Sequence, residues 1–154
     1  FVKAYYNRAV VKVILGQYQS AVDDYNKIIR LIPDDPDVYY NRGNAKYHIG
    51  QYSGAIADYN KAIHLRPDYA EAYYERGFAR RILRQYYGAI TDYDKAIQLK
   101  PDLRHAYALR GAVKGILGQT WEAKQDLLIA LRLAKQFSDE GLRIQVEQIL
   151  SELY

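Results

Sequence analysis

The chain has no cysteine and no methionine, a single tryptophan and only four prolines among 154 residues. Without cysteine, a disulfide framework and thiolate metal sites are excluded, a composition that fits a cytosolic protein. Proline and glycine are too scarce for a disordered linker. Long apolar runs are missing too. Stretches such as Ala9 to Val11 are cut short by lysine, whereas a membrane helix needs roughly 18–20 apolar residues. No secretory signal pattern is read at the start. Phe1 stands where an initiator methionine would be, which leads us to expect a segment of a longer protein.

The residue sets that carry chemistry are equally thin. His48, His64 and His105 share no metal-ligand spacing and read as surface residues. Gly111, Gly115 and Gly118 fall inside a predicted helix and follow no strand, which argues against a phosphate loop. Asp34, Asp35 and Asp37 cluster between predicted helices, where helix capping explains them better than calcium. No serine is grouped with a histidine and an acid. The expectation is therefore no catalytic activity, no cofactor and no metal.

What the chain does have is tyrosine, 17 copies, and a period. Tyr5, Tyr39, Tyr73 and Tyr107 are 34 residues apart. So are Arg8, Arg42, Arg76 and Arg110; Ala21, Ala55, Ala89 and Ala123; and Asp24, Asp58, Asp92 and Asp126. Pro33, Pro67 and Pro101 close the first three units. A fixed period of this length without insertions marks a stacked-repeat protein.

One unit reads as a helical hairpin. In residues 36–69, Asp35 is a good N-cap and Pro36 suits a first helical turn. Gly50 sits where a left-handed residue ends a helix. A second helix is predicted from about Tyr52 to Leu65, stopped by Pro67. Gly43, Gly77 and Gly111 let the paired helices approach. One unit buries too few large apolar side chains to offset the entropy of ordering its backbone, so units must stack.

The pattern Tyr-x-x-x-Gly, Gly-x-Tyr-x-x-Ala, Tyr-x-x-Ala, Pro resembles the tetratricopeptide repeat (TPR). The resemblance implies an all-α, right-handed superhelical α-solenoid of antiparallel helix pairs. It spans one domain, with units 2–35, 36–69, 70–103 and 104–137 and a capping helix over 138–154. Departures from the pattern are Ala9 for a glycine, Arg84 at the turn, Ile28 for an alanine, Thr120 and Leu127 for tyrosines, and Lys135 for proline. The cap is predicted to begin at Ser138 or Asp139 and to cover the fourth unit with Leu142, Val146, Ile149, Leu150 and Leu153. The first helix, with Val10, Val11, Val13 and Ile14, has no such cover. Either further units lie upstream, the favoured reading, or a second copy pairs there.

Residues equidistant from a hairpin turn sit at similar height. This predicts structural charge pairs Arg8–Asp24, Arg42–Asp58, Arg76–Asp92 and Arg110–Asp126. The resemblance further implies that the first helix of each unit lines a concave groove. There it would present Tyr6, Val10 and Val13; Tyr40, Asn44 and Tyr47; Tyr74, Phe78 and Arg81; and Ala108, Ala112 and Gly115, flanked by Asn7, Asn41 and Glu75. The groove would begin rich in tyrosine and end smooth. Chaperone-binding members of the family hold a terminal carboxylate with Lys, Asn and Arg. In this chain those places hold Tyr6, Val10, Asn41, Glu71 and Glu75 in one frame, and Tyr40, Asn44, Glu75, His105 and Leu109 in the next. With no cation in either frame, binding of acidic chaperone tails is not expected.

The leading functional expectation is a protein-interaction module that takes a peptide or partner helix in its groove. The alternative is a structural or self-associating spacer. A third reading is nucleic-acid contact through Arg80, Arg81, Arg84, Arg104 and Lys114. It is weaker, because the cluster is small and acids are interspersed; a solvated basic face explains it. Net charge is +4, and only the fourth unit is clearly basic, with six Lys and Arg against two acids.

Overall fold

The computed structural model describes residues 1–153; Tyr154, the last residue of the predicted cap, lies outside them. Among the described residues the fold is all-helical, in the order α1 (Val2–Ile14), α2 (Tyr18–Leu31), α3 (Pro36–His48), α4 (Tyr52–Leu65), α5 (Ala70–Ile82), α6 (Tyr86–Leu99), α7 (Arg104–Ile116), α8 (Thr120–Gln136) and α9 (Glu140–Glu152). Consecutive helices pack against each other. In addition, α3 touches α5, α5 touches α7 and α7 touches α9. Contact along the odd series puts those helices on the inner curve of an α-solenoid.

Local chemistry explains the boundaries. The Asp35 side chain accepts a hydrogen bond from Asp37 N, and Pro36 occupies the first turn of α3. Each hairpin turn uses one geometry. The residue after the C-cap is left-handed, and the following glutamine N–H reaches back to a basic residue's carbonyl: Gln17 to Lys12, Gln51 to Lys46, Gln85 to Arg80 and Gln119 to Lys114. This double closure satisfies carbonyls that a helix end leaves open. Gly50 takes the left-handed position at φ +77°, and Arg84 adopts the same conformation at φ 58° without being glycine. Gly118, expected inside a helix, lies beyond α7 at the equivalent turn.

The core is a string of small clusters along the stack rather than one centre. The column Tyr25, Tyr59, Tyr93 and Leu127 is fully buried, so leucine fills the fourth tyrosine's place. Close approach is built in. A Cβ on Gly43 would lie 2.7 Å from the Tyr59 ring. One on Gly111 would lie 3.0 Å from the backbone oxygen of Ala123. Because Lys135 replaces the closing proline, α8 runs 17 residues where α4 and α6 run 14. The chain then turns at left-handed Ser138. Asp139 caps α9 through Leu142 N, and Leu142 and Val146 are buried against α8 and α7.

Candidate functional site

The four predicted arginine–aspartate pairs lie in contact. Arg8, Arg42 and Arg110 each donate from Nε and Nη2 to the two oxygens of Asp24, Asp58 and Asp126, with Nε distances of 2.8, 2.9 and 2.8 Å. Arg76 holds Asp92 with Nη2 on Oδ1 at 2.6 Å and Nε shared between both oxygens at 3.1 Å. The four aspartates are buried. A second cation, four residues after each arginine, reaches the same carboxylate. Lys12, Lys46, Arg80 and Lys114 approach to 2.7, 2.9, 2.9 and 2.8 Å. Their column also repeats every 34 residues, a signal the hairpin-symmetry reading missed. Flanked by two cations, Asp24 has its pKa pulled down to about 2, chiefly by the Arg8 hydrogen bond.

The arginines also join units. Arg42 and Arg76 donate from Nη1 to Asn26 and Asn60 of the preceding hairpin at 2.7 Å, and Arg110 donates to Asp94. Each lies over the tyrosine three residues earlier, as with Arg42 over Tyr39 at 5.5 Å. Arg8 makes no such inter-unit bond, and its side chain is 52% exposed against 15–16% for the others.

On the inner face, the predicted groove residues divide between structural duty and open surface. Tyr6 accepts a hydrogen bond from Asn41 Nδ2 at 3.0 Å, tying unit one to unit two. Asn44 Oδ1 accepts from the Tyr59 hydroxyl at 2.8 Å. Tyr40 packs against Tyr59 and Tyr69. These polar groups are partly spent within the stack.

Of the remaining predicted residues, Val13, Tyr47, Tyr74, Glu75, Phe78, Ala108 and Ala112 come together around two cavities, and Asn7, Val10 and Arg81 line neither. The first, about 340 Å³, is lined by Val13, Asn44, Tyr47, His48, Tyr59, Glu75 and Phe78. The second, about 210 Å³, is lined by Tyr74, Phe78, His105, Ala108, Leu109 and Ala112, and closed by Leu142, Gln145, Val146 and Ile149 of α9. Phe78 belongs to both. Ala112 also borders a shallower hollow with Gly115 and Ile149. The fourth unit offers the small Ala108 and Ala112 there, and α9, packed on α7 in the place of a fifth leading helix, closes the second cavity. Sequence reasoning missed Tyr59, His48, His105 and the α9 residues as lining groups. Their columns were read as core, as solvent-facing or as cap. His48 and His105 are exposed, as expected, yet each borders a cavity.

Unfilled polar capacity gathers in the third unit. Arg81 Nε and the Tyr93 hydroxyl are the buried side-chain polar atoms without a hydrogen-bond partner among the described residues. Arg81 lies over the Phe78 ring at 4.7 Å. Burial pushes the Glu75 carboxyl up from its ordinary pKa. Desolvation, with the Glu75 charge second, pushes the Tyr74 phenol up to about 12. By contrast Glu71, on the same helix, is paired with Lys100 at 2.7 Å, which holds its pKa low.

The basic cluster does not stand free. Arg80 and Lys114 are engaged with Asp92 and Asp126, and Arg104 with Asp139 at 2.8 Å. The acidic cluster is split by task as well: Asp35 caps α3, while Asp37 takes both Arg66 nitrogens and the Tyr69 hydroxyl. Among the described residues, no group of three or more His, Asp or Glu is placed to hold a metal ion, and no helix is long and apolar enough to cross a membrane.

Comparison with known proteins follows the same lines. TPR family models match residues 11–50, 43–80 and 70–103. No curated protein sequence matches significantly. Among solved structures, MamA is 26% identical with a TM-score of 0.86, over 90% of this chain and 81% of that one. The first TPR domain of Spaghetti (RPAP3), bound to the HSP90 peptide SRMEEVD, is 26% identical with a TM-score of 0.74, over 76% of this chain and 93% of that one. YrrB, a TPR protein with an unusual peptide-binding site, shares the fold at 20% identity, with a TM-score of 0.83 over 96% and 74%. The 34-residue hairpins, their Tyr, Gly and Ala columns and these matches together make the chain a member of the tetratricopeptide repeat family.

Proposed function

We propose that this member of a family of protein-interaction scaffolds holds a peptide or a partner's helix in its concave groove, against α3, α5, α7 and α9. The observation that carries the reading is the pair of cavities separated by Phe78. Two side-chain-sized hollows suit a ligand that presents side chains at intervals along a strand or helix. Tyrosine supplies contact area at low entropic cost.

The groove lacks what an acidic tail needs. Glu75 faces the first cavity, and the clamp-equivalent places hold no Lys or Arg. The HSP90 peptide SRMEEVD, bound by the RPAP3 domain, is accordingly expected to show no saturable binding up to about 100 µM.

The test is binding of a fluorescent peptide library to the whole chain, followed by Asn44→Ala and Ala112→Gln. Both residues are partly exposed, and circular dichroism checks that the fold survives. Loss of binding by tenfold or more in either variant supports the groove. Unchanged binding in both places the ligand elsewhere.

A second reading has its own observation. Val11 of the first helix is 53% exposed, whereas Ala45 and Ala79, its equivalents in the next two units, are 1 and 0% exposed beneath a preceding hairpin. A second copy pairing there would make the array self-associating. A concentration series in sizing chromatography, repeated with Val11→Glu, tests it; a constant elution volume rejects it. Nucleic-acid contact finds little support, because most of the basic cluster is already paired with acids.

A further inference from the structure

Glu75 stands apart from every other acid. Among the described residues that are not fully exposed, Asp24, Asp35, Asp37, Asp58, Asp92, Asp126 and Asp139 each accept a hydrogen bond from the protein. Glu75 accepts none and pairs with no cation, although it is half-buried. Arg81, on the same helix, is drawn onto Phe78 instead.

Its surroundings are aromatic. The cavity that Glu75 lines is walled by Tyr47, Tyr59 and Phe78. Tyr47 and Phe78 stand 5.6 Å apart at 53°, and Tyr40 and Tyr59 6.1 Å apart. The Glu75 charge is felt by the phenols of Tyr40, Tyr47, Tyr59 and Tyr74, all held protonated by burial, and the Arg81 charge, seated on Phe78, also reaches Tyr47 and Tyr74.

Aromatic faces attract cations, and a desolvated carboxylate without a partner is a charge whose hydration has been lost without compensation. A cation entering here gains the rings and restores the missing counter-charge.

We propose that this cleft is a recognition subsite for a basic side chain, a lysine or arginine carried by the peptide that occupies the groove. The cavity of about 340 Å³ is open at the concave surface and long enough for an aliphatic stem to lie along Tyr47 and Phe78 while the charged head reaches Glu75. His48, stacked on Tyr18 at 4.4 Å, forms part of the rim. The subsite rests on the groove reading above and adds to it the sign of the ligand.

The experiment uses the whole chain and end-blocked dodecamer libraries in which one position at a time is Lys, Arg, norleucine, Gln or Glu. One position is expected to favour Lys or Arg over norleucine and Gln by at least tenfold. That preference should fall below about threefold in Glu75→Gln and persist in Glu71→Gln. Groove binding, defined by its loss in Asn44→Ala or Ala112→Gln, with no preference for a basic residue, overturns the subsite and leaves the groove. So does a preference that Glu75→Gln leaves intact. No binding by any library, or binding that neither groove variant affects, overturns both. Glu75→Gln removes an unpaired charge from a half-buried place, so the variant is expected to fold at least as well as the parent.

Discussion

Glu75 and Asp92 lie on the two helices of one hairpin and meet opposite treatment. Asp92 is 1% exposed and gripped by Arg76 and Arg80. Asp92→Asn strands two guanidinium groups, and removing one partner of a buried pair is costly. Unfolding in urea is expected to show a loss of about 3 kcal/mol. The exposed Asp94, which meets Arg110 from the neighbouring unit, should lose no more than about 1 kcal/mol on the same change. Glu75 is predicted to behave in the other direction. Its native pKa is raised, so between the ordinary carboxylate range and that raised value the folded state binds more protons than the unfolded chain. Stability therefore falls as pH rises through that interval. The Tyr40, Tyr47, Tyr59 and Tyr74 phenols stay neutral there, and His48 is common to parent and variant and cancels in the difference. Glu75→Gln is expected to raise the urea midpoint at pH 7 and to match the parent near pH 4; equal midpoints at pH 7 would contradict it. The aspartates were readable in the letters because their columns repeat and hairpin symmetry pairs them. The second cations at Lys12, Lys46, Arg80 and Lys114 repeat just as strictly. They escaped because symmetry about a turn matches one residue with one, whereas a helix brings i and i+4 to the same face. The isolation of Glu75 has no periodic signature at all: the equivalent places hold Asn7, Asn41 and Leu109, and its desolvation arises from rings on neighbouring helices.

Among the elements, the hairpin turns carry a natural control. Three use glycine in the left-handed region and the third uses Arg84 in the same region, at φ 58°. A side chain there costs about 1–2 kcal/mol, and the Arg84 side chain, which is exposed and makes no hydrogen bond or ion pair in the structure, returns nothing for it. Arg84→Gly is therefore expected to stabilise by about 1 kcal/mol, read as a higher melting temperature without change in helix content. A lower melting temperature would mean that the arginine contributes at the turn in a way the geometry does not reveal. Helix boundaries were legible because Asp35, Pro36, Gly50 and Pro67 punctuate the chain. The second role of α9 was not. One apolar stripe, Leu142, Val146 and Ile149, both covers α8 and walls the groove, and an amphipathic pattern states which face is buried without stating what it faces.

The two ends of the whole stack are unequal. At one end α9 buries Leu142 and Val146 over the fourth hairpin. At the other, α1 leaves Val11 exposed, and Arg8 lacks the inter-unit bond that Arg42, Arg76 and Arg110 make. In a stack whose clusters are local, stability is close to a sum of unit and interface terms, so a hairpin with one neighbour opens before a hairpin with two. Hydrogen exchange followed by mass spectrometry should show α1 and α2 exchanging at least about tenfold faster than α5 and α6, the reflection of an interface worth roughly 1.4 kcal/mol or more. Uniform protection along the chain would mean that the units open together and that local summation fails. The same measurement decides what happens at the open face. If a second copy docks there, protection of α1 must rise with protein concentration while that of α5 and α6 stays constant, because only the first hairpin gains a neighbour. If protection of α1 is independent of concentration, Val11 is not covered by a second copy, and the proposed concave groove is the surface left for a partner.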